Sequence, residues 1–503
     1  MATNENPSEG VDKEHDQFKI MHPWLTLVDD LRQGTARIRE QHDTYLPSFA
    51  AEKEQNYQRR WKQATVYPAF EETIGMVVGK AFTNPPILGD DVPPEITGTD
   101  TAPGLQENVD LQGNHFQVFA QNFFKQGLRS GLCHILVDAT PLPEGATTEE
   151  TKMLAGHRPY WTIYPAQQVF AWEYEIQGGW PVLTQVRIRE MVEETISEFV
   201  TKKIDQIRVF QPGLFRIFRK DDDGQWAERK DLGGQMLGYA GAPLTYIPWV
   251  TFYADEDNGI MTAIPPLLDL AYQNIRHFNK QSDYDNCMTI ACFPIFCATG
   301  IAAEETDIVL SPFTVCKSNN DQAKFFFAEH TGAALGAARQ DLQDLKQDMA
   351  MHGLKMMMPR TGATQTATEA AITESKTTSQ LQIAVLRMKD CLELALDYTA
   401  QWLGKGPDMG GSIKVDLKAI SLALSDVDQV LKAAGAPQKP ILDAETAIQV
   451  LIDKGWLSED IDPKEVVQKL QNQVAQTPVA GLAASFLKPQ APPVKVPVGT
   501  TVQ

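Results

Sequence analysis

Two long stretches between residues 331 and 405 carry apolar residues at helical spacing. In the first stretch the apolar positions follow alternating steps of three and four, which places them in one stripe along a helix. These positions are Leu335, Ala338, Leu342, Leu345 and Met349. Three carboxylates, Asp341, Asp344 and Asp348, keep the same spacing and form a row beside the stripe. Pro359 predicts the end of this helix near Met358, because proline removes a backbone hydrogen bond and clashes with the preceding turn.

A link of small polar residues, 359–368, separates this helix from the second stretch. The apolar period resumes there, which predicts a long helix over residues 369–405. The positions that carry it are Leu381, Val385, Met388, Leu392, Leu396 and Leu403. A helix of that length spans about 50 Å at a rise of 1.5 Å per residue. One chain cannot easily cover the apolar stripes of such helices, so we expect several copies to assemble.

The preceding chain combines further helices with strands. Helical spacing predicts helices over residues 24–46, 51–82, 114–131 and 265–290. Arg276, His277 and Lys280 lie near the middle of the last of these, and we expect them to pair with the acidic row. Alternation of apolar and polar residues predicts an antiparallel sheet built from residues 133–137, 160–163, 168–172, 183–189, 206–210, 214–219 and 225–228. Asp223-Gly224 is a favourable hairpin turn between the last two strands.

The two ends of the chain lack the apolar periodicity of the segments between them. Residues 1–20 are polar and predict a mobile tail, and residues 477–503, rich in proline and alanine, predict a disordered one. Residues 293–300 and 306–327 are rich in strand-forming residues. After Gly404 we predict a short strand over residues 413–417, followed by short helices over 422–434, 443–454 and 463–476.

Composition and charge narrow the classes of function. The 503 residues are 43% hydrophobic and 22% charged, which is typical of a soluble globular protein with several structural units. The formal net charge is −20. An unspecific nucleic-acid binder usually has the opposite sign, because Lys and Arg make its phosphate contacts. The acidity is nevertheless compatible with a wall along which DNA slides.

No segment predicts export, a membrane span or a metal site. The N-terminus lacks a basic region followed by an apolar run, and no window of about 18 apolar residues occurs, so we expect a cytosolic protein with no membrane partner. The six cysteines form no CxxC pair, and the steps of five among Cys287, Cys292 and Cys297 fit no common zinc spacing. We expect free thiols in a reducing compartment.

Motifs for catalysis or cofactor binding are missing from the sequence. It contains no HExxH, no GxSxG and no dinucleotide-binding glycine pattern. The run from Gly75 to Ala81 departs from a phosphate-binding loop in its spacing and in its last residue, so Gly75 and Gly79 are expected to let two helices approach instead. His134 and His277 have no partner at a fixed spacing and are interpreted as structural or surface residues. We therefore predict no catalytic residue, no cofactor and no metal.

The order of elements over residues 246–404 resembles that of the portal proteins of tailed double-stranded DNA bacteriophages. The resemblance is carried by the segment Tyr246 to Phe252, a long helix, a second helix, the Pro/Gly/Thr-containing link and the long amphipathic helix. It implies an α+β, mainly helical fold with named parts. These parts are an N-terminal tail (1–20), a wing (21–255), a first stem helix (256–290), a clip (291–330), a second stem helix (331–358), a tunnel loop (359–368), a long wing helix (369–405), a helical crown (406–476) and a C-terminal tail (477–503).

The resemblance also implies a function, a location and a set of partners. Portal proteins form dodecameric rings at one capsid vertex, serve as the channel for DNA packaging and ejection, and have no catalytic activity. Their partners are further copies of the chain, double-stranded DNA, the terminase large subunit, head-completion or neck adaptor proteins, and the major capsid and scaffold proteins. The location would be the virion, with the host cytoplasm before assembly. Carried onto this chain, Asp341, Asp344 and Asp348 would face the channel, and Arg360, Thr361 and Thr364 of the tunnel loop would contact DNA.

Two other interpretations stay open at this stage. The chain could be another structural component of a virion, such as a connector or a scaffold-binding protein. It could also be an enzyme whose site is assembled from dispersed residues. Ring symmetry with a through-channel would distinguish a portal from the first alternative, and turnover of a nucleotide or DNA substrate would favour the second.

Overall fold

The computed structural model describes residues 10–99, 102–140, 157–239, 241–292, 295–300, 322–328, 333–357, 380–417 and 464. The chain separates into two units, residues 1–420 and 421–503, and all helices and strands named below belong to the first. Helices and antiparallel sheets both contribute substantially to it, so the fold is mixed α+β. The predicted α+β class is confirmed, but helix does not dominate as predicted, because the strands of the largest sheet extend well beyond the segments that the alternation predicted.

The described part of the first unit contains ten helices, and the last three of them are long. They are α1 (Asp16–Gln33), α2 (Thr35–Glu40), α3 (His42–Tyr45), α4 (Glu54–Gln63), α5 (Ala69–Ala81), α6 (Pro94–Thr97), α7 (Phe116–Ser130), α8 (Leu268–Ala291), α9 (Ala333–Met357) and α10 (Gln380–Trp402). Helix α1 begins inside the predicted tail, because the His15 side chain accepts a hydrogen bond from Gln17 N and Phe18 and Met21 are buried. Gly34, at φ 77°, ends α1 and divides the helix predicted over 24–46.

The strands form two principal antiparallel sheets. One has the order β12-β4-β5, and the other has the order β10-β9-β8-β7-β6 with β11 added beside β9. Their strands are β4 (Leu132–Ala139), β5 (Pro159–Pro165), β6 (Val169–Gln177), β7 (Trp180–Ser197), β8 (Val200–Gln211), β9 (Leu214–Lys220), β10 (Trp226–Glu228), β11 (Gly234–Gln235) and β12 (Trp249–Tyr253). The single predicted sheet is divided because a 3-10 turn at Ala166–Gln168 redirects the chain between β5 and β6.

Three short strand pairs complete the described part of the fold. They are β1 (Ile87–Leu88) with β15 (Ile413–Lys414), β2 (Gly98–Thr99) with β3 (Ala102–Pro103), and β13 (Ile295–Thr299) with β14 (Lys324–Ala328). The β13–β14 pair agrees with strands in the predicted clip. The β1–β15 pair joins the first residues of the predicted crown to the predicted wing. The predicted tunnel loop and the C-terminal tail lie outside the described residues, as do the crown helices except for Lys464.

Two hydrophobic clusters hold these elements together. The first joins α5, α7, β4 and α10 around side chains such as Phe123, Trp161 and Leu392, all with no measurable exposure. The second lies between the two principal sheets, around Trp172, Phe210 and Trp249. Gly127 permits the close approach of α7 to β12, because a Cβ atom there would lie 2.4 Å from the Phe252 ring. Within the described residues, no helix is both long and apolar enough to cross a membrane.

Candidate functional site

Helices α8 and α9 form an antiparallel pair. Lys280 of α8 makes an ion pair with Asp341 of α9. Gln273, about two turns earlier in α8, lies with its Nε2 atom 3.1 Å from Nε2 of His352, near the end of α9. The predicted contact between the basic residues of the first helix and the acidic row is therefore confirmed for Lys280, within one chain. Hydrogen bonding and attraction to Lys280 lower the pKa of Asp341.

The two faces of α9 differ as the sequence predicted. Leu342, Leu345 and Met349 are buried, at 6%, 5% and 0% exposure, and α9 packs on α8 and α5. Asp341, Asp344 and Asp348 are exposed on the flank beside this stripe. Asp344 accepts a hydrogen bond from Gln340 Nε2 at 2.7 Å. Asp348 has no hydrogen-bond or ion-pair partner among the described residues.

The assignment of these three aspartates to a channel stays a prediction, because it concerns an assembly of several chains. Arg360, Thr361 and Thr364, which were predicted to contact DNA from the tunnel loop, lie outside the described residues. The structure therefore gives the acidic row a position on α9 and leaves the loop as a sequence-based expectation.

Asn274 fixes α8 to the start of α5. Its side chain has no exposed surface. Its Oδ1 accepts a hydrogen bond from Phe70 N at 3.0 Å, and its Nδ2 donates to Tyr67 O at 2.8 Å. The amide thus satisfies one of the backbone N–H groups that the first turn of a helix leaves without a partner. Sequence reasoning missed this role, although a polar residue among the apolar positions of α8 was a visible signal.

A buried arginine fixes α8 at a second point. The side chains of Arg60 and Glu52 are only 3% and 5% exposed, and they form two hydrogen bonds, Nε to Oε1 at 3.0 Å and Nη2 to Oε2 at 2.8 Å. Arg60 Nη2 also donates to Pro47 O at 2.9 Å, and Nη1 donates to Asp283 Oδ1 of α8 at 3.3 Å. Bonding to Arg60 lowers the pKa of Glu52. No local pattern in the sequence indicates this cluster.

The histidines singled out in the sequence are both buried. His134 is 1% exposed, and its Nδ1 accepts a hydrogen bond from Trp249 Nε1 at 3.2 Å and lies 3.0 Å from Thr251 Oγ1. His277 is also 1% exposed, and neither ring nitrogen has a hydrogen-bond partner among the described residues. Burial, with a smaller effect of Lys346, lowers the pKa of His277 to about 4. These surroundings fit residues that pack rather than catalyse.

Replacing His277 by leucine should reduce the loss of stability in acid. The pKa of this group is about 6.5 in the unfolded chain and about 4 in the fold, so the unfolded state binds its proton first as the pH falls. Stability is lost through that window, by up to roughly 3 kcal/mol for this group alone. Urea unfolding of both proteins at pH 7 and pH 4 measures the difference. Equal losses in the wild type and the His277→Leu variant would contradict the prediction.

The remaining candidates from the sequence are the cysteines, two helical glycines and the Asp223-Gly224 turn. Among the described residues no group of three metal-binding side chains occurs, and the described cysteines, Cys133, Cys287, Cys292, Cys297 and Cys391, form no disulfide. A Cβ atom on Gly75 or Gly79 would meet nothing within 4 Å, so the expectation that these glycines let two helices approach was wrong. The Asp223-Gly224 turn is confirmed, since Asp221 Oδ1 accepts hydrogen bonds from the backbone N–H groups of Asp223 and Gln225.

A segment of the chain that includes the helix pair matches a known family model. Residues 266–403, which include α8, α9 and α10, match a family described as a domain of unknown function, DUF4055. No curated protein matches the chain.

Several solved structures are similar to the chain in part. The virion of a native gene transfer agent particle and the neck of an empty particle with C6 symmetry each show 11% identity and a TM-score of 0.39, covering 80% of this chain and 95% of theirs. The neck of the native particle with C12 symmetry shows 11% identity and a TM-score of 0.36, covering 76% and 89%.

Proposed function

We propose that the protein is a portal-type structural subunit of a phage-like virion, copies of which close into a ring around a channel for double-stranded DNA. The observation that carries this proposal is the antiparallel pair α8–α9. One side of the pair is buried against the body of the chain, and the other presents Asp341, Asp344 and Asp348 to solvent. The two helices contain 24 and 25 residues. In each copy their exposed acidic side would line a long section of the channel.

The charge of that wall suits DNA that must move. Each copy has a formal net charge of −20, and the aspartates repel phosphate groups instead of binding them. Lys280 neutralises part of the row by pairing with Asp341, which leaves Asp344 and Asp348 without a cation partner among the described residues. A wall of this kind disfavours the phosphate contacts that would hold DNA in place.

The proposal includes the finer parts of the role. The ring would contain twelve copies, occupy one capsid vertex and form the head-to-tail connector through which the genome enters and leaves. The terminase large subunit, neck adaptors and the capsid and scaffold proteins would bind its outer surfaces. Arg360, Thr361 and Thr364 would form the narrow part of the channel. None of these steps requires catalysis by the chain itself.

Imaging of the purified full-length protein tests the proposal. Negative-stain or cryo-electron microscopy should show rings with a central hole wide enough for a DNA duplex, which is about 20 Å, and mass photometry should show a single large oligomer. A monodisperse monomer at every salt and protein concentration would contradict it. Rings whose central hole is lined by the sheets, with α8 and α9 at the periphery, would contradict the assignment of the helix pair.

Neutralising the acidic row should make the ring bind DNA. We expect the triple variant Asp341→Asn, Asp344→Asn and Asp348→Asn to assemble and to bind a linear duplex roughly tenfold more tightly than the wild type at low salt, with the difference shrinking as salt rises. Fluorescence anisotropy measures the affinity. The matched control removes three exposed carboxylates at hairpin turns, by Glu198→Gln, Asp222→Asn and Asp223→Asn. Equal affinities of the two triple variants would refute a channel-facing position of the row.

A further inference from the structure

A cleft lined by both polar and apolar residues lies between α4 and the second half of α8. Its volume is about 400 Å³, and Asn56, Arg59, Ser282, Asp285 and Asn286 contribute to its walls. Ser282 is 3% exposed, yet its hydroxyl has no hydrogen-bond partner among the described residues. Buried polar groups in folded proteins are nearly always paired. The single chain thus leaves the buried Ser282 hydroxyl without a hydrogen-bond partner in the wall of this cleft, within the described residues.

The cleft also carries an anionic group at its edge. Asp285 is exposed, and its Oδ1 accepts a hydrogen bond from Gln281 Nε2 at 2.8 Å. It has no ion-pair partner among the described residues. A cationic side chain that entered the cleft beside α8 would therefore find an available carboxylate.

The opposite edge of the helix pair is complementary to this cleft. At about 100° per residue, Gly336, Arg339 and Gln343 fall on one strip of α9, on the side away from α8 and from the acidic row. All three are exposed. A Cβ atom on Gly336 would meet nothing within 4 Å, so a neighbouring surface can approach closely there. Arg339 makes no hydrogen bond or ion pair in the part of the chain that the structure describes.

The cleft and the Gly336–Gln343 strip lie at the same level along the axis of the helix pair. Lys280 lies opposite Asp341 and Gln273 opposite His352, so the antiparallel register places Arg339 level with Ser282. Rotation about an axis parallel to the helix pair keeps every residue at its level. A second copy generated by such a rotation would bring its Arg339 to the height of Ser282 and Asp285.

We infer that the cleft between α4 and α8 receives the Gly336–Gln343 edge of α9 from the next copy in the ring. Arg339 of the incoming helix forms an ion pair with Asp285, and the incoming edge covers the wall of the cleft that contains Ser282. The contact is heterologous, since it joins two different surfaces, and its repetition closes a ring. This inference rests on the proposed ring and names the surfaces that form it.

The first test places a larger side chain on the incoming edge. Gly336→Leu should remove rings and leave a folded monomer, because the leucine has free space within one chain and improves helix propensity. Gly75→Leu is the matched control, since it puts the same side chain on an exposed helical glycine with equally free surroundings. Circular dichroism checks folding and mass photometry checks assembly. Rings of the Gly336→Leu protein would overturn the inference.

The second test reverses the proposed charge pair. Arg339→Asp and Asp285→Arg should each raise the protein concentration needed for half-assembly by about a hundredfold, because each change places like charges together. The double variant should assemble again at nearly the wild-type concentration. A double variant that stays monomeric would overturn the pairing. Absence of rings in the wild type would instead refute the proposed function, so the two failures can be told apart.

Discussion

Replacing Arg60 by methionine should lower the free energy of unfolding by about 3–5 kcal/mol. The change leaves Glu52, whose side chain is 5% exposed, as a buried carboxylate without its two hydrogen bonds from the guanidinium. It also removes the donor to Pro47 O and the contact with Asp283 of α8. Methionine fills much of the same volume, so the loss measures the electrostatic effect more than a cavity. Urea unfolding at pH 7 measures it.

The matched control for this prediction is Arg229→Met. Arg229 makes the same pair of hydrogen bonds, Nε to Oδ1 at 3.0 Å and Nη2 to Oδ2 at 2.8 Å of Asp231. Its side chain and that of Asp231 are 46% and 59% exposed, so water replaces the lost partner. We expect a loss of at most about 1 kcal/mol. Similar losses for the two variants would show that burial of the Arg60–Glu52 pair has no energetic consequence.

Replacing Trp161 by alanine should have an effect of similar size, about 3–5 kcal/mol. Trp161 has no exposed surface, and its ring lies 5.7 Å from the ring of Phe119 and 6.2 Å from that of Phe116. Its Nε1 donates to Thr399 Oγ1 of α10 at 2.9 Å. Alanine would open a cavity where α7, β5 and α10 meet. We also expect a lower m-value, seen as a broader urea transition, because the cavity weakens the packing of α7, β5 and α10 on one another.

Trp180→Ala is the control for the loss of an indole. Trp180 lies at the turn between β6 and β7 and is 76% exposed, so we expect a change within about 0.5 kcal/mol. Trp161→Phe should fall between the two, because Thr399 Oγ1 keeps its own hydrogen bond to Ala395 O at 2.8 Å. A Trp161→Ala protein as stable as Trp180→Ala would contradict the role of Trp161 in the core.

Long helices with one buried side were the part of the fold that the sequence predicted best. Periodicity predicted α8 over residues 265–290 and the structure gives Leu268–Ala291, and α9 is described over Ala333–Met357, inside the predicted span of 331–358. In these segments local spacing and burial agree, because the predicted apolar positions Leu342, Leu345 and Met349 of α9 are buried against the rest of the chain. The positions of Asp341, Asp344 and Asp348 followed from that spacing alone.

Features set by distant or exposed residues escaped prediction. The outer halves of β7 and β8 were missed because many of their side chains are exposed and show no regular alternation of burial. Asn274 and Arg60 reach partners 204 and 223 residues away in sequence, and no local pattern marks such a contact. The cleft beside α8 likewise appears only when α4 and α8 are brought together.

The two attachments of α8 have a mechanical consequence. Asn274 and Asp283 are nine residues apart in one helix, so they join it to the body of the protein at levels separated by about 13 Å. A slide of α8 by a single turn, about 5.4 Å, would break both attachments at once and leave Phe70 N and the Arg60–Glu52 cluster without their partners. The two attachments therefore oppose displacement of α8 along its axis. A force applied along the helix is transmitted through them to the body of the subunit.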